Sequence, residues 1–162
     1  MSFFNEAHES GSSGEQSNLL EASSETPDDP SVDEFKLALK AGLGSMLSFL
    51  DDQGEPIFIS TSSLVIAVPP AMLIAATEAV SATVVEDQPN ALKGIARVVA
   101  LPWLVDQSKW YLLKTDGVVR PFIFQDREPV EFKAMAEDSD EGFRREKFLF
   151  GVRARYRMAY GY

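Results

Sequence analysis

From residue 35 the apolar positions fall at helical spacing. Phe35, Leu39, Leu43, Met46, Leu47 and Leu50 lie near one face, which predicts a helix with that face buried. Its start is marked by Pro30 and by Ser31 with Glu34, the spacing of a capping box in which side chain and backbone satisfy each other's orphan donors. Gly42 and Gly44 each weaken a helix by roughly 1 kcal/mol relative to Ala, so close approach of a neighbouring backbone is expected there. The run Asp51-Asp52-Gln53-Gly54 ends the element as a turn. It lacks the alternate acids and distal Glu of a calcium loop. Leu64 to Val68 is continuously apolar and reads as a strand buried on both faces. Pro69-Pro70 stops it and opens a second helix, Ala71 to Ala82, with Met72, Leu73, Ala76, Ala79 and Val80 on its apolar side. Residues 86–90 read as a loop.

Beyond residue 94 the period changes. Gly94–Leu101, Trp110–Lys114, Pro121–Gln125 and Val130–Met135 are short apolar or alternating runs set off by Pro, Asp and Gly. They predict strands, mostly antiparallel, because the links look too short for crossover helices. Thr115-Asp116-Gly117 and the acidic run 137–141 read as turns. From Phe148 the alternation is strict. Phe148, Phe150, Val152, Ala154, Tyr156, Met158 and Tyr160 share one side, and Arg153, Arg155 and Arg157 the other. The predicted class is α+β, a mixed sheet with two main helices plus long antiparallel strands.

Charge is unevenly placed. Of the 25 acids, nine lie in residues 1–34, which hold no Lys or Arg. That stretch is rich in Ser and Gly and poor in apolar residues, so residues 1–30 are expected to form an acidic flexible segment. Over residues 142–162 the sign reverses, with six bases against Glu146. The chain has no Cys and one histidine, His8, which excludes disulfides, thiolate metal sites, cysteine nucleophiles and multi-histidine centres within one chain. No apolar run reaches the roughly 20 residues that span a bilayer. A basic segment followed by an apolar one, the secretory signal pattern, is missing from the N-terminus. Phosphate loop, dinucleotide fingerprint and nucleophile elbow are also missing. No catalytic, cofactor-binding or metal residue is assigned, and no small-molecule substrate.

The candidate functional residues are therefore those of a surface. Arg153, Arg155 and Arg157 repel one another unless carboxylates of this chain or a neighbour, or nucleic-acid phosphate, compensate them. Trp103 and Trp110 flank a loop in an apolar setting and read as core or interface anchors. Two function classes follow: a self-associating structural protein, or a nucleic-acid-binding accessory protein using the arginine-rich strand.

Several ordered segments resemble the major head subunit of Mu-like phages. They are Asp51 to Pro56, Ser63 to Ala71, Asn90 to Gly94, Val98 to Leu104, Trp110 to Leu113, Arg120 to Gln125, Phe143 to Arg155 and Ala159 to Tyr162. Phe4 and Ala7-His8 resemble a short upstream motif of the same family. The resemblance implies the tailed-phage capsid fold of the Hong Kong 97 type. Residues 31–125 would then match most of an axial domain, and residues 126–162 strands of a peripheral domain. It implies that an arm, an extended loop and a spine helix precede residue 1, the chain being the C-terminal part of a longer subunit. It also implies a non-enzymatic homo-oligomer: hexamers and pentamers in a virion shell assembled in the host cytoplasm, packaged DNA on its inner face and no membrane.

Overall fold

The computed structural model describes residues 3–22, 24–85, 88–117, 121–134 and 149–160. The chain divides into two compact units, Met1–Gly117 and Val118–Tyr162.

In the first unit, helix α1 spans Val32–Leu47. Ser31 has an extended backbone, its hydroxyl accepts from the Glu34 amide, and the Glu34 carboxylate accepts from the Ser31 amide at 2.9 Å. The predicted capping box is thus formed. Phe35, Leu39 and Leu43 are the buried face, while Leu47 is half exposed. The glycines do not mark a close backbone contact. A Cβ at Gly42 would meet only the Trp110 and Leu112 side chains at 3.8 Å, an ordinary packing distance, and one at Gly44 would meet nothing.

Strand β1, Leu64–Val68, is the middle of a three-stranded sheet. A single turn of 3-10 helix, Pro70–Met72, leads into α2, Leu73–Ser81. A two-residue hairpin of β2, Val84–Val85, and β3, Gln88–Pro89, stands where a loop is predicted. Strand β4, Arg97–Ala100, then pairs with β1 in parallel, Ile66 opposite Val98. This departs from the expected antiparallel order because α2 itself is the crossover that returns the chain to the same end of the sheet. Strand β5, Tyr111–Lys114, closes the other side antiparallel, Ile66 opposite Leu112.

The core lies between this sheet and the two helices. Leu64, Ile66 and Val68 point into it with Phe35, Leu39, Leu43, Met72, Ala76, Ala79, Val80 and Leu92. The second face of β1 is covered less evenly. Val65, on the opposite face, is only half-buried, although Ala67 beside it is buried. The reading of a strand buried on both faces holds along β1 except at Val65, which is half-buried. What covers the second face is local: the Phe4 ring packs on Tyr111, the register partner of Ala67, with ring centroids 4.9 Å apart.

The acidic N-terminal stretch carries specific bonds. His8 and Gln16 exchange backbone hydrogen bonds of 2.8 and 2.7 Å. The Gln16 side-chain amide spans Leu50, donating to its carbonyl at 3.0 Å and accepting from its N–H at 2.6 Å. The Ser12 N–H donates to the Asp52 carbonyl at 2.8 Å. Asn18 donates to the Phe3 carbonyl at 2.7 Å and accepts from the Asn5 N–H at 2.8 Å. Gly11 makes the approach to Asp52 possible. Its φ is +57°, and a Cβ there would collide with the Asp52 carbonyl oxygen.

The second unit is a ribbon of two long antiparallel strands, β6 over Phe122–Ala134 and β7 over Phe150–Tyr160. The runs 121–125 and 130–135, expected as separate strands, belong to one continuous β6 through residue 134. Among the described residues the class is therefore α+β, with two helices, one mixed sheet and two antiparallel strand pairs. The acidic run 137–141 and the bases Arg144, Arg145 and Lys147 lie outside the described residues.

Candidate functional site

The strict alternation along β7 is realised as a regular strand, so its side chains divide cleanly between two faces. Strand β6 is not regular. Asp126 pairs with Tyr156, Glu128 with Arg155 and Glu131 with Arg153. Between these pairs β6 holds one residue more than β7 each time, which is two β-bulges. Each bulge reverses which side of β6 faces which way. Phe122 and Phe124 before the first bulge, and Phe132 after the second, consequently share the face of Phe150, Val152, Tyr156 and Met158. Glu128 and Glu131, between the two, turn to the arginine face. Pro129 suits the irregularity, since it has no amide hydrogen to give to a ladder.

The Glu128 carboxylate sits between two guanidinium groups. Arg153 Nη2 lies 3.0 Å from Oε2, and Arg155 Nη1 lies 3.0 Å from Oε1. All three side chains are more than a third exposed, so each pair is worth at most about 1 kcal/mol. The arrangement defines register more than it adds stability. Lys133 and Glu131 form a looser pair at 3.4 Å on the same face. Arg157 stands opposite Gln125, a neutral partner. The carboxylate at Glu128 was not singled out from sequence. The signal that could have found it is Pro129, which marks the bulge.

The opposite face is aromatic and wet. Phe124 stacks on Tyr156 with centroids 5.6 Å apart, and Phe132 on Phe150 at 5.9 Å. Both contacts are diagonal to the backbone register, a reach open to rings on a twisted pair. These side chains nonetheless remain more than half exposed.

The two tryptophans separate. Trp110 is half-buried against Phe35, centroids 4.9 Å apart, and packs on the core of the first unit. Trp103 is 83% exposed, in the turn that the Leu104 N–H closes on the Leu101 carbonyl. The structure therefore brings Arg153 and Arg155 together around one carboxylate, with Arg157 on the same face. Trp103 and Trp110 belong to the other unit.

Two carboxyl groups of the first unit are held well below the usual range. Glu34 is lowered to about 2, chiefly by the Glu25 N–H and then by Ser31. Asp106 is lowered to about 2 by hydrogen bonds from Lys109 and Ser108, and the same ion pair, 2.8 Å long, raises Lys109. Both are exposed structural anchors of a cap and a turn. Among the described residues no group of three or more His, Asp or Glu side chains gathers to hold a metal ion. No helix of the described residues is long and apolar enough to cross a membrane.

No curated protein and no solved structure matches the chain. Residues 105–162, which contain β5 and the described strands of the ribbon, match the family model described as the Mu-like prophage major head subunit gpT, in agreement with the resemblance of the C-terminal part of the chain to that family.

Proposed function

We propose that the chain is a major head subunit of a Mu-like phage or prophage, or the C-terminal part of one. It is a structural protein and not an enzyme, and it self-associates into an icosahedral shell around DNA. The observation that carries this reading is the family match over residues 105–162. The physical character of the ribbon supports it, because an isolated pair of strands is marginal in water and needs a surface to pack on. The nucleic-acid accessory reading gains nothing comparable, since two of its three arginines share the Glu128 carboxylate.

Several finer statements belong to the same proposal. The fold is of the Hong Kong 97 capsid type, with residues 31–125 axial and 126–162 peripheral. The acidic segment 1–30 is flexible apart from its ties to Leu50 and Asp52. Hexamers and pentamers form in the host cytoplasm and end in the virion. Arg153, Arg155 and Arg157, with the exposed Trp103, meet an unlike, acidic surface of a neighbouring subunit, Trp110 anchors the first unit, and DNA lies inside. The test is composition of particles. After prophage induction, density-purified heads should contain this polypeptide as their most abundant protein, and disrupting its gene should abolish heads. Heads that form normally and lack the polypeptide would refute the reading.

A further inference from the structure

Among the described residues the ribbon has two faces and two outer edges, and they differ in what they tolerate. One face carries Phe122, Phe124, Phe132, Phe150, Val152, Tyr156 and Met158, each more than half exposed. At roughly 100 Å2 of exposed surface per large side chain they present about 700 Å2. That is close to the per-partner area of a standard protein interface, about 800 Å2, and larger than the apolar patches usual on a monomer. Asp126 is the formal charge that shares this face among the described residues.

We propose that this aromatic face packs against the same face of a second copy of the chain. The proposal rests on the reading of the chain as a self-associating head subunit and names the surface through which it associates. A contact between identical surfaces sets like against like. A nearly uncharged apolar face satisfies that condition, whereas the opposite face, with Arg153, Arg155, Arg157 and Lys133 against Glu128 and Glu131, would repel its own copy. The edges are guarded too. Two β7 strands paired antiparallel about Arg155 would set Arg153 opposite Arg157, and like charges opposed across a ladder destabilise it. The β6 edge is broken by its two bulges and Pro129. Of the surfaces the ribbon offers, the aromatic face alone fits a copy of itself.

The chain contains no cysteine, so single-cysteine variants report proximity directly. Tyr156→Cys and Val152→Cys place a thiol on the aromatic face, and Arg155→Cys and Lys133→Cys place one on the other. Each would be oxidised under identical conditions and the disulfide-linked dimer followed with time, beside sedimentation of the wild-type chain over a range of concentrations. The expected result is a wild-type mass that rises with concentration and cross-linking at least roughly tenfold faster from the aromatic face. Phe124→Ser/Phe132→Ser should weaken association at least about tenfold, with the Trp110 fluorescence of the first unit unchanged. Association with equal cross-linking from both faces, or unaffected by the double variant, would overturn the proposed surface while leaving self-association standing. A chain that stays monomeric throughout would overturn the surface and the self-associating reading together.

Discussion

Ile66 and Val65 are neighbours on the central strand of the first unit, and their side chains point to opposite faces. Ile66 is fully buried among the helices, with Val98 and Leu112 as register partners, while Val65 is half-buried on the face that Phe4 reaches in part. Truncating Ile66 to Ala removes three carbons from a packed core and leaves a void that the sheet, paired on both sides of β1, collapses poorly. The expected loss is about 2–5 kcal/mol. Val65→Ala removes two carbons that already touch water in part, so about 1 kcal/mol is expected. Against a stability of roughly 5–15 kcal/mol for a small domain, the first change lowers the midpoint by roughly 10–25 °C and the second by about 5 °C. Trp110 on Phe35 reports unfolding of this core, and a Trp103→Phe background removes the signal of the exposed indole. Equal losses at the two positions would show that both faces are sealed alike. A loss under about 0.5 kcal/mol at Ile66 would refute the assignment of the core.

Other positions give sharper yes-or-no outcomes. Gly44→Ala should raise stability by about 0.5–1 kcal/mol in chemical denaturation, because the site is exposed, mid-helix and open to a Cβ. Gly11→Ala should release the N-terminal segment from Asp52, seen as faster hydrogen exchange of the Ser12 amide with the sheet core still protected. The Glu34 carboxyl is lowered from 4.5 to about 2, so the folded state favours its ionised form; the stabilisation is complete above 4.5 and is lost as pH falls towards 2. Its tie to the Glu25 amide should therefore persist through that interval and break with a midpoint near pH 2, visible in the amide chemical shift, and Glu34→Gln should remove the transition.

How much of this was legible in the sequence depended on whether the signal was local. Helix α1 was legible because Ser31 and Glu34 sit three residues apart and the buried positions Phe35, Leu39 and Leu43 follow the helical period. The parallel return of β4 was not, because nothing in Arg97–Ala100 records which strand it will meet 30 residues away in the chain. The anchoring of the N-terminal stretch was hidden for a different reason. It is carried by backbone groups and by the amides of Gln16 and Asn18, which leave composition as polar as in a solvated linker. Phe4, on Tyr111, and Phe3, edge-on to Phe4, offered an apolar hint. Trp103 and Trp110 looked alike in sequence, and only tertiary contact with Phe35 distinguishes them.

The ribbon shows how a small irregularity can decide a surface. Read along β6 with a period of two, Phe122, Phe124, Asp126, Glu128, Val130, Phe132 and Ala134 would share one side, placing Glu128 among the rings. The first bulge turns Glu128 to the arginine side and the second restores Phe132 to the aromatic side. Two insertions of opposite consequence thus keep a charge off the apolar face while delivering a shared carboxylate to Arg153 and Arg155. A regular β6 would have left those arginines uncompensated and put Glu128 at the centre of the rings. The sorting of one face for apolar contact and the other for water and charge is therefore built into backbone geometry, with Pro129 as its one visible mark in the sequence.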